Sequence, residues 1–222
     1  ASRTSGAAPG ATGAALLLRN WIATWGVDEP GSVHSWMLAS ARPHSTGGFD
    51  VGEGAGWLDL AGGGWSWFGR VDLTEGDELE VPLEDLTWRE VLGGLEQATV
   101  ESTIDQWTLE AVLWWGGLPE NAAANATTEP SELKLTIVAG DGSEAEAVSP
   151  ESGVWKRLSM PDPISKATLH APRCGADCWG QKAVGFGDWR VRIGAPFVNG
   201  EKLAAYWVVR IRPPAPPAPP AP

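Results

Sequence analysis

Three side chains in one short stretch have the chemistry of a zinc site. His170, Cys174 and Cys178 follow an H-x3-C-x3-C spacing, and imidazole and thiolate are both good zinc ligands. A closed tetrahedral site needs a fourth ligand, and Asp177 is the near candidate. The spacing does not match paired CxxC knuckles, so no metal site and no cofactor are expected. Without a metal, "CGADCWG" leaves two readings open. One is a Cys174–Cys178 disulfide, closing a ring too small to stabilise much; the other is two free thiols.

Catalytic constellations are equally sparse. The sequence has no G-x-S-x-G elbow, no H-E-x-x-H and no phosphate-binding loop. His34, His44 and His170 are its histidines, and none sits in a nucleophile–base spacing. Glu84–Asp85, Asp50–Glu53 and Glu101–Asp105 could pair as in a glycosidase. With 28 acidic residues in the chain, such pairs arise by chance. No catalytic residue is assigned, and the chain is expected not to be an enzyme.

The residues that stand out are aromatic. The 222 residues include 14 Trp against one Tyr and four Phe, with 28 Gly and 18 Pro. Indoles combine a large contact area with one N–H donor, so Trp is frequent both in cores and at binding anchors. "WSWF" (65–68) and "LWWGG" (113–117) place them on both faces of strand-like runs. Trp65, Trp67, Phe68, Trp114 and Trp115 are therefore the candidate interface residues. A net charge of −12 and the lack of a Lys/Arg-rich arm argue against direct nucleic-acid binding and against anionic membranes. No stretch approaches the length of a membrane-spanning helix.

The elements that must carry these residues are mostly β. Period-2 alternation marks "WSWFGRVDL" (65–73), "DQWTLEAVLWW" (105–115), "ELKLTIVAG" (132–140), "DWRVRI" (188–193) and "AYWVVRI" (205–211). In the second run Trp107, Leu109, Ala111, Leu113 and Trp115 fall on one side, with Thr108, Glu110, Val112 and Trp114 opposite. "VHSWMLASA" (33–41), "GWLDL" (56–60), "ELEVPL" (78–83), "VWKRLSM" (154–160) and "KATLH" (166–170) read as shorter strands. Pro82 should hold its strand at an edge or an end. Residues 14–26 fit a short helix or an early strand. "DGSEAEAVSPESG" reads as an acidic loop, and "GAPFVNGEK" as a hairpin-like connection. Asp85 or Thr87 can cap a short helix over about 87–95, ended by Gly93 and Gly94. No internal repeat is visible, which excludes propellers and solenoids.

The expected fold is thus all-β: a jelly-roll-like sandwich of about eight to ten strands with one short helix. It is preceded by a flexible arm (1–13), spans 14–212 as one domain, and ends in a Pro/Ala tail (213–222). Pro213 ends the last strand because it has no N–H, and Pro214, Pro216 and Pro217 continue it as stiff polyproline II. Ten such residues reach about 31 Å at roughly 3.1 Å each. The tail is expected to lie along a neighbouring subunit.

This order of elements, with a short helix before "TVESTIDQWTLEAVLWW" and the closing pair "DWRVRI…AYWVVRI", resembles the single jelly-roll capsid proteins of small icosahedral RNA viruses. The resemblance is a pattern over about residues 30–212. It implies a structural protein of a virus particle that associates with itself or with a shell protein. Members that package RNA carry a basic arm, which this chain lacks. A place on the virion exterior, as a protrusion or decorating protein, is therefore expected. The alternative is a secreted carbohydrate-binding or adhesin-like module with a Pro-rich spacer, although few Asn and a single Tyr fit sugars poorly. "NAT" at Asn125 has the form of a glycosylation acceptor.

Overall fold

The computed structural model describes residues 4–42, 56–60, 65–87, 103–116, 131–147, 154–163 and 183–214. Two helices lead: α1 (Thr4–Ala23) and α2 (Pro30–Ser40). The strands follow as β1 (Ala41–Arg42), β2 (Trp57–Leu58), β3 (Ser66–Leu73), β4 (Glu78–Pro82), β5 (Leu86–Thr87) and β6 (Thr108–Trp115). Then come β7 (Glu132–Val138), β8 (Glu144–Glu146), β9 (Trp155–Pro161), β10 (Ala183–Val184), β11 (Arg190–Phe197) and β12 (Leu203–Arg212).

Eight of these strands build two antiparallel four-stranded sheets, ordered β3-β12-β6-β9 and β4-β11-β7-β8. Counting only those eight, the pairing is nested. The first pairs with the eighth (Val71↔Ala205), the second with the seventh (Val81↔Val191). The third pairs with the sixth (Ala111↔Leu158), and the fourth with the fifth (Ile137↔Ala145). The molecule is a β-sandwich, with β1–β2 and β5–β10 as small two-stranded additions.

Alternation along each strand places the core between the sheets. Trp67 and Leu73 of β3, Leu109, Leu113 and Trp115 of β6, and Trp207, Val209 and Ile211 of β12 face inward. They meet Leu133, Leu135 and Ile137 of β7 and Val191 and Ile193 of β11. The division of β6 into two faces matches the sequence expectation, and Pro82 does end an edge strand.

The two outer faces differ. On the β4-β11-β7-β8 sheet, Arg192 reaches Glu80 at 2.8 Å and Glu144 at 2.8 Å, and Arg190 reaches Glu80 at 3.3 Å. That is an ordinary solvated ladder. The outer face of the other sheet carries Phe68, Val112 and Val208 instead, and both helices cover it.

Four expectations change. Of residues 33–41, all but Ala41, which opens β1, belong to α2 rather than to a strand, and α2 begins with Pro30 at its first turn, where a missing N–H costs nothing. The helical alternative for 14–26 holds up to Ala23, but α1 starts as early as Thr4, within the stretch expected to be an arm. The acidic loop contains β8. The 194–202 connection is not a hairpin: β11 extends to Phe197, and the chain then crosses from one sheet to the other. Of the expected helix at 87–95, Thr87 belongs to β5 and the rest lies outside the described residues. Asp85, the other expected cap, accepts the Gly187 N–H on its Oδ1 at 2.6 Å.

Candidate functional site

The covered face of the β3-β12-β6-β9 sheet holds the feature with most binding character. In α1, Leu18 and Ile22 are one turn apart and buried against Trp36 and Ala39 of α2 and Val112 and Val208 of the sheet. The neighbouring stripe of the same helix is left open. Leu17 is 67% exposed and Trp21 43%, and Trp25, just beyond the helix, is 55% exposed. Gly26 (φ 77°) lets the chain reverse after Trp25, a conformation that side chains with a Cβ rarely adopt. Arg19 then fastens the turn with two hydrogen bonds to Asp28, at 2.7 and 3.0 Å.

Between α1 and the sheet runs an open cleft of about 380 Å³, within the roughly 300–1,000 Å³ typical of ligand sites. Its walls are aromatic. Trp21 meets Trp36 edge-to-face at 4.8 Å, Trp36 meets Phe68 at 5.8 Å, and Trp25 meets Trp65 at 6.3 Å. Ser40, Ser66 and Arg210 supply its polar atoms. The lining residues include no Asp, Glu, His or Cys.

A buried charged cluster fixes the floor. Arg210 donates to the Ser40 hydroxyl at 3.2 Å. Arg212 donates to Ala39 O at 2.6 Å and Ala41 O at 3.3 Å, and Arg157 donates to Ala41 O at 2.8 Å. These guanidinium groups sit where the C-terminal carbonyls of α2 concentrate negative potential. Glu110 compensates them, accepting from Arg157 at 3.0 Å and from the Ser159 hydroxyl at 3.0 Å. Arg42 pairs with Asp59 beside it. Desolvation still dominates at Arg212, and burial pushes its guanidinium down to about 10. At the other end of α2, Glu29 binds Arg70 at 2.9 Å, and Arg70 and Lys202 both bind Asp72.

The candidate residues distribute as follows. Trp65 and Phe68 line the cleft. Trp67 is 7% exposed in the sandwich core against Phe186, and Trp115 is 1% exposed, with its indole N–H on Ser131 O at 3.2 Å. Trp114 lies on the outer face, stacked on His34 of α2 at 4.9 Å. Pro213 and Pro214 are half-buried residues just beyond β12. Pro216, Pro217, Cys174, Cys178 and Asn125 lie outside the described residues, as do His44, His170, Asp50, Glu53 and Glu101. Among the described residues no group of three or more His, Cys, Asp or Glu is placed to hold a metal, and no helix is long and apolar enough to cross a membrane. The residues missed were Trp21, Trp25 and Trp36. The i, i+4 spacing of Leu17, Trp21 and Trp25, parallel to that of Leu18 and Ile22, carried the signal.

Two packed antiparallel sheets with an aromatic cleft under a helical cover define a β-sandwich. No protein-family model matches the chain, and no curated protein matches it either.

Proposed function

We propose that this chain is a structural, non-enzymatic protein of a virus particle, a jelly roll that associates with itself or with a shell protein on the virion exterior. The nested pairing of strands, first with eighth through fourth with fifth, carries the reading. It is the pairing produced when a long β-ribbon is rolled into two sheets, as in capsid jelly rolls. A fold alone does not define a function. The second support is the apolar surface of Leu17, Trp21 and Trp25, where the two indoles meet at 6.3 Å and all three residues are exposed; contiguous patches of this kind mark association surfaces. The test is sedimentation of the purified chain over a concentration series, together with recovery in particles when co-expressed with a shell protein. Oligomers or particle-bound chain are expected; a strict monomer that ignores every shell would sink the proposal.

The exposure of Trp21 and Trp25 beside Ser40, Ser66 and Arg210 favours one alternative, a carbohydrate-binding module. A glycan array decides it, with Trp21→Ala and Trp25→Ala as the informative variants. Trp67→Ala is unsuitable, because removing a core indole costs about 3–5 kcal/mol of stability.

A further inference from the structure

We propose that the aromatic cleft is a receptor for a polyproline segment, and that its occupant is the Pro/Ala tail, residues 213–222, of a second copy of this chain. The assignment rests on the reading of the chain as an assembling subunit and names the contact that joins two subunits.

The chemistry of the cleft selects the ligand. Proline-rich segments dock into grooves walled by aromatic rings because they are already extended and lose little entropy on binding. Trp21, Trp25, Trp65 and Phe68 provide such walls, and two of them are open to solvent. The tail, "PPAPPAPPAP", is uncharged and offers carbonyl acceptors with few N–H donors. The tryptophans that line the cleft carry indole N–H donors, which suit those carbonyls.

The position of the tail's root selects the copy. Ile211 N donates to Trp65 O at 2.9 Å, and Arg210, in the floor of the cleft, lies three residues before Pro213. The tail therefore starts beside the cleft. β12 itself runs away from Phe68, which pairs with Val208 further back along the strand, so a tail that keeps the strand's direction leaves the cleft. To enter its own cleft the tail would have to reverse at once. Each residue from 213 to 222 is a proline or directly precedes one. Proline fixes φ, and the residue before a proline is disfavoured in the α region that tight turns use. The run thus resists reversal, while a copy related by a two-fold axis near the end of β12 can exchange tails reciprocally. Ten residues spanning about 31 Å are long enough to cross to the other cleft.

Complementation tests this. One variant keeps the tail but loses the groove (Trp21→Ala with Trp25→Ala); the other keeps the groove but lacks residues 213–222. Each alone should associate at least about tenfold more weakly than the unaltered chain, since anchor aromatics carry more than about 1 kcal/mol each. Mixed, the two should form heterodimers in sedimentation velocity. A synthetic PPAPPAPPAP peptide should quench Trp fluorescence of the tail-deleted protein saturably, whereas a Gly/Ser/Ala peptide of equal length should not. That peptide control needs no folded variant of the groove. If the full chain self-associates and tail deletion changes nothing, the inference falls and the assembly reading stands. If the full chain stays monomeric while the peptide binds, the second-copy assignment fails, and the assembly reading fails with it only if the chain also ignores every co-expressed shell protein.

Discussion

Glu110 shows how much a single side chain can hold. Its carboxylate sits 6% exposed on the outer face of β6, bonded to Arg157 and Ser159, with Arg210 and Arg212 close enough to feel its charge. Arg157 pairs with it directly, while Arg210 feels it alongside Asp59. Breaking a buried pair from one side leaves the other charge desolvated and uncompensated, which costs about 3–5 kcal/mol. Glu110→Ala should lower the unfolding free energy by that amount in denaturant titration. Glu110→Gln, which keeps an acceptor but not the charge, should also destabilise the protein. The sequence placed Glu110 on the face opposite the core but could not indicate that helices cover that face.

Among the elements, α2 is the one that sequence reasoning misread, and its composition explains why. Its buried positions are Gly31, Ser32, Ser35, Trp36, Ala39 and Ser40, a stripe with helical spacing made of small and weakly polar residues. The more apolar Val33, Met37 and Leu38 are only half-buried, so hydropathy shows no clear face. The strands that were read correctly, β3, β6, β7 and β12, alternate around large apolar side chains. Small residues on α2 allow close approach to the sheet. A Cβ on Gly31 would stand 2.2 Å from the Tyr206 ring, so that ring would have to move. Gly31→Ala should destabilise the protein by about 1–3 kcal/mol, as overpacking does, and loosen the helical cover. Thermal unfolding would measure the first effect. Increased acrylamide quenching of Trp fluorescence, with Trp36 of α2 newly exposed, would report the second; unchanged values would mean that α2 is not held there.

Across the whole molecule, the two outer faces of the sandwich differ in what they carry. One side is the Glu80–Arg192–Glu144 ladder and the other the Trp-lined cleft. The carboxylates of the surface pairs titrate below their usual range. Glu80 is held down by Arg192, Asp72 by Lys202 and Arg70, Asp28 by Arg19, and Asp77 by the backbone N–H and hydroxyl of Thr74. A carboxylate with a lowered folded pKa contributes stability that is present above its unfolded pKa, about 4, and disappears as pH falls through the folded value. Stability should therefore be flat from pH 7 to about 5 and decline below about 4, as measured by denaturant midpoints at each pH. A rise in stability on acidification would contradict these pairings. The broad architecture was legible because it depends on alternation within strands. The cleft was not, because it arises where residues 17–25, 65–68 and 210 meet, and no local pattern shows that meeting.

The nested strand order also sets a schedule for folding. β12 lies between β3 and β6, so the sheet that carries the cleft is split into separate edges until residues 203–212 are available. Its partners are distant in sequence: Leu203 pairs with Leu73, and Arg210 with Ser66. Closing such long loops before any contact forms makes folding slow relative to helical domains of similar size. A nascent chain stalled before β12 would expose the unpaired edges of β3 and β6 together with their apolar faces. Synthesis of the last strand is thus the step that commits the chain to its native sheet, and with it to having a cleft at all.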